Sequence, residues 1–252
     1  MTQDLYFYLL YAWIAIGILA FPFLLKKTAP YGRHITQGWG PTLSNQLGWM
    51  IQEGVAPFFI SFWFFTGTLE KTETSYLFYG LYVAHYFYRS FIFPFRTKTK
   101  GKRIPLAIVG SAIGFNFCNT FFIGYFLGNI GGNYSTDYFF EFRFILGLAV
   151  FALGVFINVK ADNMLLALRQ QGDKGYKITK GFLFNYISCP NHFGEMVEWF
   201  GFALLLGQLP AYAFALWTIV NLMPRALDHH KWYHEKFSDY PANRRAVIPF
   251  TL

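Results

Sequence analysis

LYFYLLYAWIAIGILAFPFLL, residues 5–25, runs without a charged side chain from Asp4 to the pair Lys26-Lys27. A helix rises about 1.5 Å per residue and the hydrocarbon core of a bilayer is about 30 Å thick, so roughly 20 apolar residues cross it. The stretch reads as one crossing. Working outward, comparable runs recur at 47–67, 74–95, 105–128, 139–166, 193–208 and 210–227. The sixth and seventh are short and separated only by Leu209-Pro210, which predicts a tight helical hairpin. The expected fold is all-α: a polytopic integral membrane protein of seven transmembrane helices, forming a single domain over 1–252.

Composition supports the same solvent. Apolar residues make up 54% of the chain, aromatics 22% and charged residues 13%, against roughly 25% charged in a soluble domain. There are too few polar atoms to coat a globule in water. The formal net charge of +8 raises nucleic acid as a partner. The basic residues, however, fall in short clusters between apolar runs, which is an orientation signal of membrane proteins. Cys118 and Cys189 sit among apolar neighbours and read as buried thiols rather than a disulfide or a metal pair. The N-terminus opens on Asp4 rather than a basic region, so no cleavable signal peptide is expected.

The loops alternate in charge. Lys26, Lys27, Arg33 and His34 mark the first, Arg96, Lys98, Lys100, Lys102 and Arg103 the third, and Arg169, Lys174, Lys177 and Lys180 the fifth. Lys231, Lys236, Arg244 and Arg245 mark the C-terminal segment, while the second and fourth loops have no positive excess. The positive-inside rule then places the N-terminus outside and the C-terminus in the cytoplasm. An odd number of spans is the count that fits.

Ionisable groups within spans are costly and usually face a cavity or a partner. Gln52-Glu53 lie in the second span, His85, Tyr86 and Arg89 in the third, Asn158 and Asp162 in the fifth, and Glu195 and Glu198 in the sixth. Asn221 and Arg225 lie in the seventh, followed by Asp228, His229 and His230. Glu53 stands about 9 Å inside the membrane edge at 1.5 Å per residue, and most of the others are near cytoplasmic ends. The pattern fits a polar pocket open to the cytoplasm with a carboxyl group at its floor. It also fits plain pairing between helices, for example Glu195 with Arg225. No glycine-rich nucleotide loop is present. His230 and His234 share a helix face, but His34 and His85 are remote, and no metal is expected.

Taken together, several segments resemble the steroid 5α-reductase family. Gly181-Phe-Leu-Phe-Asn-Tyr-Ile-Ser-Cys-Pro-Asn191-His-Phe-Gly-Glu195-Met-Val-Glu198-Trp is similar to a family signature, as is Asp239-Tyr240-Pro241-Ala-Asn-Arg-Arg245-Ala-Val-Ile-Pro249-Phe. Pro30-Tyr31-Gly32-Arg33-His34, Gln52-Glu53, His85-Tyr86-Phe87-Tyr88-Arg89, Asn158-x-x-x-Asp162, Arg169 and Tyr176 follow in family order. The resemblance implies NADPH on the cytoplasmic side and a 3-oxo-Δ4 steroid beside it. Cofactor contacts would come from Tyr31, Lys102, Asn158, Asp162, Arg169, Tyr176, Asn191, Glu195, Arg225, His230 and Tyr233, with Arg245 a weaker candidate. The substrate end would use Glu53 and Tyr86 as donors to the 3-oxo oxygen, with Gln52 orienting Glu53. Hydride attack on the β-carbon of the enone builds negative charge on that oxygen, and donors aimed at it lower the barrier. A carboxyl donates only when protonated, a form that burial away from compensating cations favours.

Two departures from the family pattern stand out. Gly54-Val55 follow Gln52-Glu53 where the family commonly has Leu-Pro, and the usual loop-three arginine falls at Lys102 or Arg103. Other readings remain: a trans-2-enoyl-CoA reductase, a membrane methyltransferase of isoprenylcysteine type, or a non-catalytic sterol carrier. The membrane is expected to be the endoplasmic reticulum, or the inner membrane of a bacterium. Neither nucleic acid nor an obligate protein partner is expected.

Overall fold

The computed structural model describes residues 1–27, 38–97, 99, 101–131, 134–168 and 175–252. The chain is mostly helical: α1 (Gln3–Lys26), α2 (Asn45–Phe65), α3 (Glu73–Phe87), α4 (Phe93–Arg96), α5 (Leu106–Tyr125), α6 (Phe142–Ala167), α7 (Pro190–Leu206) and α8 (Leu209–Lys236). Among the described residues, three helical stretches, Gln3–Lys26, Leu106–Ile130 and Phe142–Ala167, are long and apolar enough to cross a membrane. The chain divides into two compact units, residues 1–10 with 29–142, and residues 11–28 with 143–252.

In the first unit, two polar caps start the helices. Ser44 accepts from the Leu47 N–H at 3.2 Å to open α2, and Thr72 accepts from the Ser75 N–H at 3.2 Å to open α3. Such caps satisfy N–H groups that have no helical partner. Between α2 and α5 the backbones come close because glycines line the crossing. A Cβ on Gly124 would lie 2.9 Å from Trp63 Cβ, and one on Gly128 would lie 2.5 Å from the Trp63 carbonyl oxygen. With no hydrophobic drive between helices in lipid, close packing of this kind holds them together. Ile60, Phe64, Phe78 and Tyr82 fill the interior, and the Tyr6 phenol donates to the Phe122 carbonyl at 2.6 Å.

The third predicted span is not one regular helix. After Phe87 the backbone widens into a π-helical turn, Tyr88–Ile92, before α4. Such turns insert an extra residue and redirect the side chains that follow. The all-α expectation also missed a short antiparallel ladder, β1 (Thr42–Ser44) with β2 (Arg103–Pro105). Stretches this short carry no periodic signal.

In the second unit, α6 and α7 are fitted by glycines seven residues apart on each helix. A Cβ on Gly147 would lie 2.5 Å from the Leu205 nitrogen, and one on Gly154 would run into the Glu198 nitrogen. Gly194 and Gly201 face the backbones of Asn158 and Phe151 in the same way. The α7–α8 hairpin forms as expected, but its break falls earlier than Leu209-Pro210. Gly207 takes the left-handed conformation (φ 66°) that ends α7, and Pro210 lies in the first turn of α8. Helix α8 then runs on past residue 227 to Lys236, because polar side chains end a hydropathic run without ending a helix. The C-terminal segment is stitched to the residues before α7: Ser188 N–H donates to the Arg245 carbonyl at 2.8 Å, and Arg245 N–H to the Tyr186 carbonyl at 2.8 Å.

Candidate active site

Glu53 lies near the middle of α2 with Gln52 beside it, and Gln52 Nε2 donates to Glu53 Oε1 at 3.2 Å. Tyr86 reaches the same place from α3. Its phenol donates to Asn116 Oδ1 of α5 at 3.4 Å, and Asn116 Nδ2 donates to the Gln52 carbonyl at 2.7 Å. Gln52, Tyr86 and Asn116 are 5%, 5% and 4% exposed, so the cluster is a polar island among apolar helices. Tyr82 and His85 flank Tyr86, with ring centroids 4.8 Å and 5.2 Å from its own. The Gln52 Oε1 atom is buried and has no hydrogen-bond partner among the described residues. An acceptor left in that state costs stability unless a ligand or water meets it.

Two cations stand near Glu53: Arg89 and His85 are both close enough to act on its carboxyl electrostatically. Arg89 belongs to the π-helical turn, where its guanidinium sits 4.4 Å from the Phe93 ring centroid and 5.7 Å from that of Trp49 on α2.

The second unit holds most of the residues expected at the cofactor. Asn158 and Asp162 are buried one turn apart on α6, and Asn191 in the first turn of α7 links to both. Asn158 Nδ2 donates to the Asn191 carbonyl at 2.9 Å, and Asn191 Nδ2 donates to Asp162 Oδ1 at 3.2 Å. Glu195 follows Asn191 by one turn on the same face of α7 and is half-buried. Arg225 is 8% exposed on α8.

Further along α8, His230 Nδ1 lies 2.6 Å from Ser188 Oγ, which in turn lies 2.6 Å from the Tyr240 hydroxyl. Burial first, then His234 and Arg245, hold the His230 imidazolium below its usual range. Burial holds the Tyr240 phenol above its own. The three side chains form one hydrogen-bonded chain, from His230 Nδ1 through Ser188 Oγ to the Tyr240 hydroxyl. Tyr233 stacks on Tyr240 at 5.1 Å, and Tyr176 packs edge-on against Trp232 at 4.7 Å.

The loop-three ambiguity is narrowed by geometry. Arg103 is held by the short ladder, its Nε donating to Thr42 Oγ1 at 2.6 Å and its Nη2 to the Thr42 carbonyl at 2.5 Å. Lys102 is exposed, and its carbonyl accepts from Asn45 N–H at 2.9 Å. Near the C-terminus, Arg245 is exposed, whereas Arg244 is 4% exposed with its Nε lacking a partner among the described residues. Tyr31 and Arg169 lie outside the described residues. Asn116, Ser188, Tyr240 and Arg244 were not singled out from the sequence. Asn116 carried a signal, an amide inside an apolar run. Ser188 and Tyr240 stand 52 residues apart, each within a family segment that assigned it no role.

The chain matches the family model described as 3-oxo-5-alpha-steroid 4-dehydrogenase over residues 102–252. It is 39% identical to "Steroid 5-alpha-reductase DET2" of Gossypium hirsutum, covering 98% of each chain. It is 36% identical to "3-oxo-5-alpha-steroid 4-dehydrogenase 1" of Bos taurus over 97% of this chain and 96% of that one. The Homo sapiens protein of the same name is 32% identical, over 96% and 93%.

Proposed function

Since the chain belongs to the 3-oxo-5-alpha-steroid 4-dehydrogenase family, we propose that it reduces the Δ4 double bond of 3-oxo-Δ4 steroids such as progesterone or testosterone to 5α-dihydrosteroids. The observation that carries the reading is the buried island in which Gln52, Glu53 and Tyr86 converge through Asn116. It supplies hydroxyl and carboxyl groups inside an otherwise apolar helix packing, which suits a lipid-soluble substrate with one polar end.

Glu53 and Tyr86 hold the 3-oxo oxygen. Gln52 orients Glu53 through its amide, and donation to the oxygen strengthens as enolate charge develops. Donors of this type are worth most in a site that excludes water. Arg89 and His85 add positive potential beside Glu53, which favours the same charge. C4 then takes a proton that originates in solvent.

NADPH is the hydride donor in this reading, and when bound it supplies the hydride that C5 accepts. The donor set of the second unit fits it chemically: Asn158, Asp162, Asn191 and Glu195 offer amide and carboxyl groups for ribose and nicotinamide. Arg225 offers a cation, His230 a ring nitrogen, and Tyr176 and Tyr233 ring faces, and the buried Arg244 Nε is an unfilled donor of the kind an anion takes. Lys102, Tyr31 and Arg169 complete the set, and a lysine at that position serves as a point charge rather than a fork.

The chain lies in a membrane through seven helical crossings, with the N-terminus outside and the cofactor residues on the cytoplasmic side, as the alternation of basic loops requires. Residues 1–252 act as one functional domain in this reading.

The test is turnover of progesterone with NADPH by the detergent-purified protein, beside Glu53→Gln. A 5α-dihydro product, sharply reduced in the variant, is expected. No product despite saturable NADPH binding would move the substrate to an enoyl thioester or another enone.

A further inference from the structure

Asn116, on α5, carries three polar relations within the first unit. Its Nδ2 donates to the Gln52 carbonyl at 2.7 Å, its Oδ1 accepts from Tyr86 at 3.4 Å, and its amide is near enough to the Glu53 carboxyl to act on it electrostatically. The orientation of the amide is set by chemistry. A carbonyl only accepts, so the NH2 group must face Gln52, and Oδ1, which also only accepts, must face the phenol.

The two hydrogen bonds differ in length. A hydroxyl bond to oxygen is usually about 2.5–3.0 Å, so the one from Tyr86 is weak, while the one to Gln52 is short. Pro57, four residues after Glu53 within α2, has no N–H to return to the Glu53 carbonyl. The helix thus lacks one of its own bonds at the position that carries the carboxyl, and one residue earlier the Gln52 carbonyl takes an added bond from α5.

We propose that Asn116 is a positioning residue for the reduction: its amide braces the α2 backbone at Gln52-Glu53 and holds the Tyr86 phenol proton until the 3-oxo oxygen of the substrate takes it. This rests on the reading of Glu53 and Tyr86 as the carbonyl donors. Substrate binding exchanges a long bond for a short one, so Tyr86 arrives already aimed and gives up little to turn. An amide suits the task better than a carboxylate, which would grip the phenol proton through a charge-assisted bond and repel Glu53.

The experiment is a double-mutant cycle in detergent-purified full-length protein with progesterone and saturating NADPH, measuring kcat for the native chain, Tyr86→Phe, Asn116→Ala and the double variant, with NADPH affinity alongside. Asn116→Ala is expected to lower kcat about 100-fold, the scale of a misplaced reacting group, at unchanged NADPH affinity. In the Tyr86→Phe background its factor is expected to shrink, because the phenol it holds is gone. Equal factors in both backgrounds, or a native kcat for Asn116→Ala, would overturn the inference alone. If Tyr86→Phe itself turns over like the native chain, the carbonyl reading fails with it. Should Asn116→Ala lose NADPH binding through misfolding, the isosteric Asn116→Asp takes its place in the cycle. It is expected to turn over slowly, and native turnover would overturn the inference.

Discussion

The island around Glu53 and the network around Asn158 and Ser188 are both buried and polar, yet they are bonded differently. In the second, most links are short: Tyr240 to Ser188 and Ser188 to His230 at 2.6 Å, Asn158 to Asn191 at 2.9 Å and Asn191 to Asp162 at 3.2 Å, with Arg244 Nε beside Tyr240 left without a partner among the described residues. In the first, the Tyr86 bond stretches to 3.4 Å and Gln52 Oε1 has no partner among the described residues. Short links rigidify a network, whereas a long one leaves its donor looser until something replaces it. The difference fits a rigid cradle for a cofactor that is bound and released unchanged in shape, and a looser island for a substrate whose polarity changes during the reaction.

The sharpest way to break that comparison is at the phenol. Tyr86→Phe is expected to cut turnover by about 100- to 1,000-fold, the cost of losing one donor to a developing oxyanion, with NADPH affinity unchanged. Weakened cofactor binding instead would place Tyr86 in the wrong half of the account. The reciprocal change is Asn191→Ala, which removes the link between Asn158 and Asp162. It is expected to weaken NADPH binding about tenfold, the scale of a hydrogen bond to a charged group, and Arg225→Ala to do likewise. An unchanged dissociation constant would remove them from the cofactor site.

Rigidity of the second unit can be tested apart from ligands. A side chain at Gly201 would meet the Phe151 backbone, which cannot rotate away. Gly201→Val is therefore expected to cost about 1–3 kcal/mol, as overpacking does, read as a lower thermal midpoint in detergent. No change would mean that the α6–α7 approach is not under strain from volume.

The smallest effect is on pH. The His230 pKa is depressed in the folded chain, chiefly by burial. Its contribution to stability is thus fully present above the ordinary histidine value of about 6.5 and is lost as pH falls towards the folded value. A decline in thermal midpoint below about pH 6.5 that is blunted in His230→Gln is expected. Parallel profiles would assign the decline to other groups.

How much of this was legible in the sequence follows from the physics of each signal. Length and hydropathy located each long helix among the described residues. They failed at the ends: α8 continues through His230 and Tyr233 to Lys236 on backbone hydrogen bonds that hydropathy does not report. The π-helical turn at Tyr88–Ile92 leaves an apolar run looking regular. Gln52, Glu53 and Tyr86 stood out as polar groups in apolar spans. Asn116 had the same mark, but its position opposite Gln52 and Tyr86 comes from tertiary packing. The Ser188–His230–Tyr240 triplet and the closeness of Arg89 to Glu53 depend on tertiary packing, which spacing along the chain does not encode. The glycines at 147, 154, 194 and 201 kept a spacing of seven, a signal of helix approach that was present and unread.

The central claim, that the Glu53 island handles the steroid carbonyl while the cofactor is gripped elsewhere in the chain, is tested most directly by titrating NADPH into Glu53→Gln and the native protein under identical detergent conditions, with turnover measured on the same samples. The account predicts the same dissociation constant in both and a sharply reduced turnover in the variant. A weakened dissociation constant, or a turnover equal to the native, would contradict it.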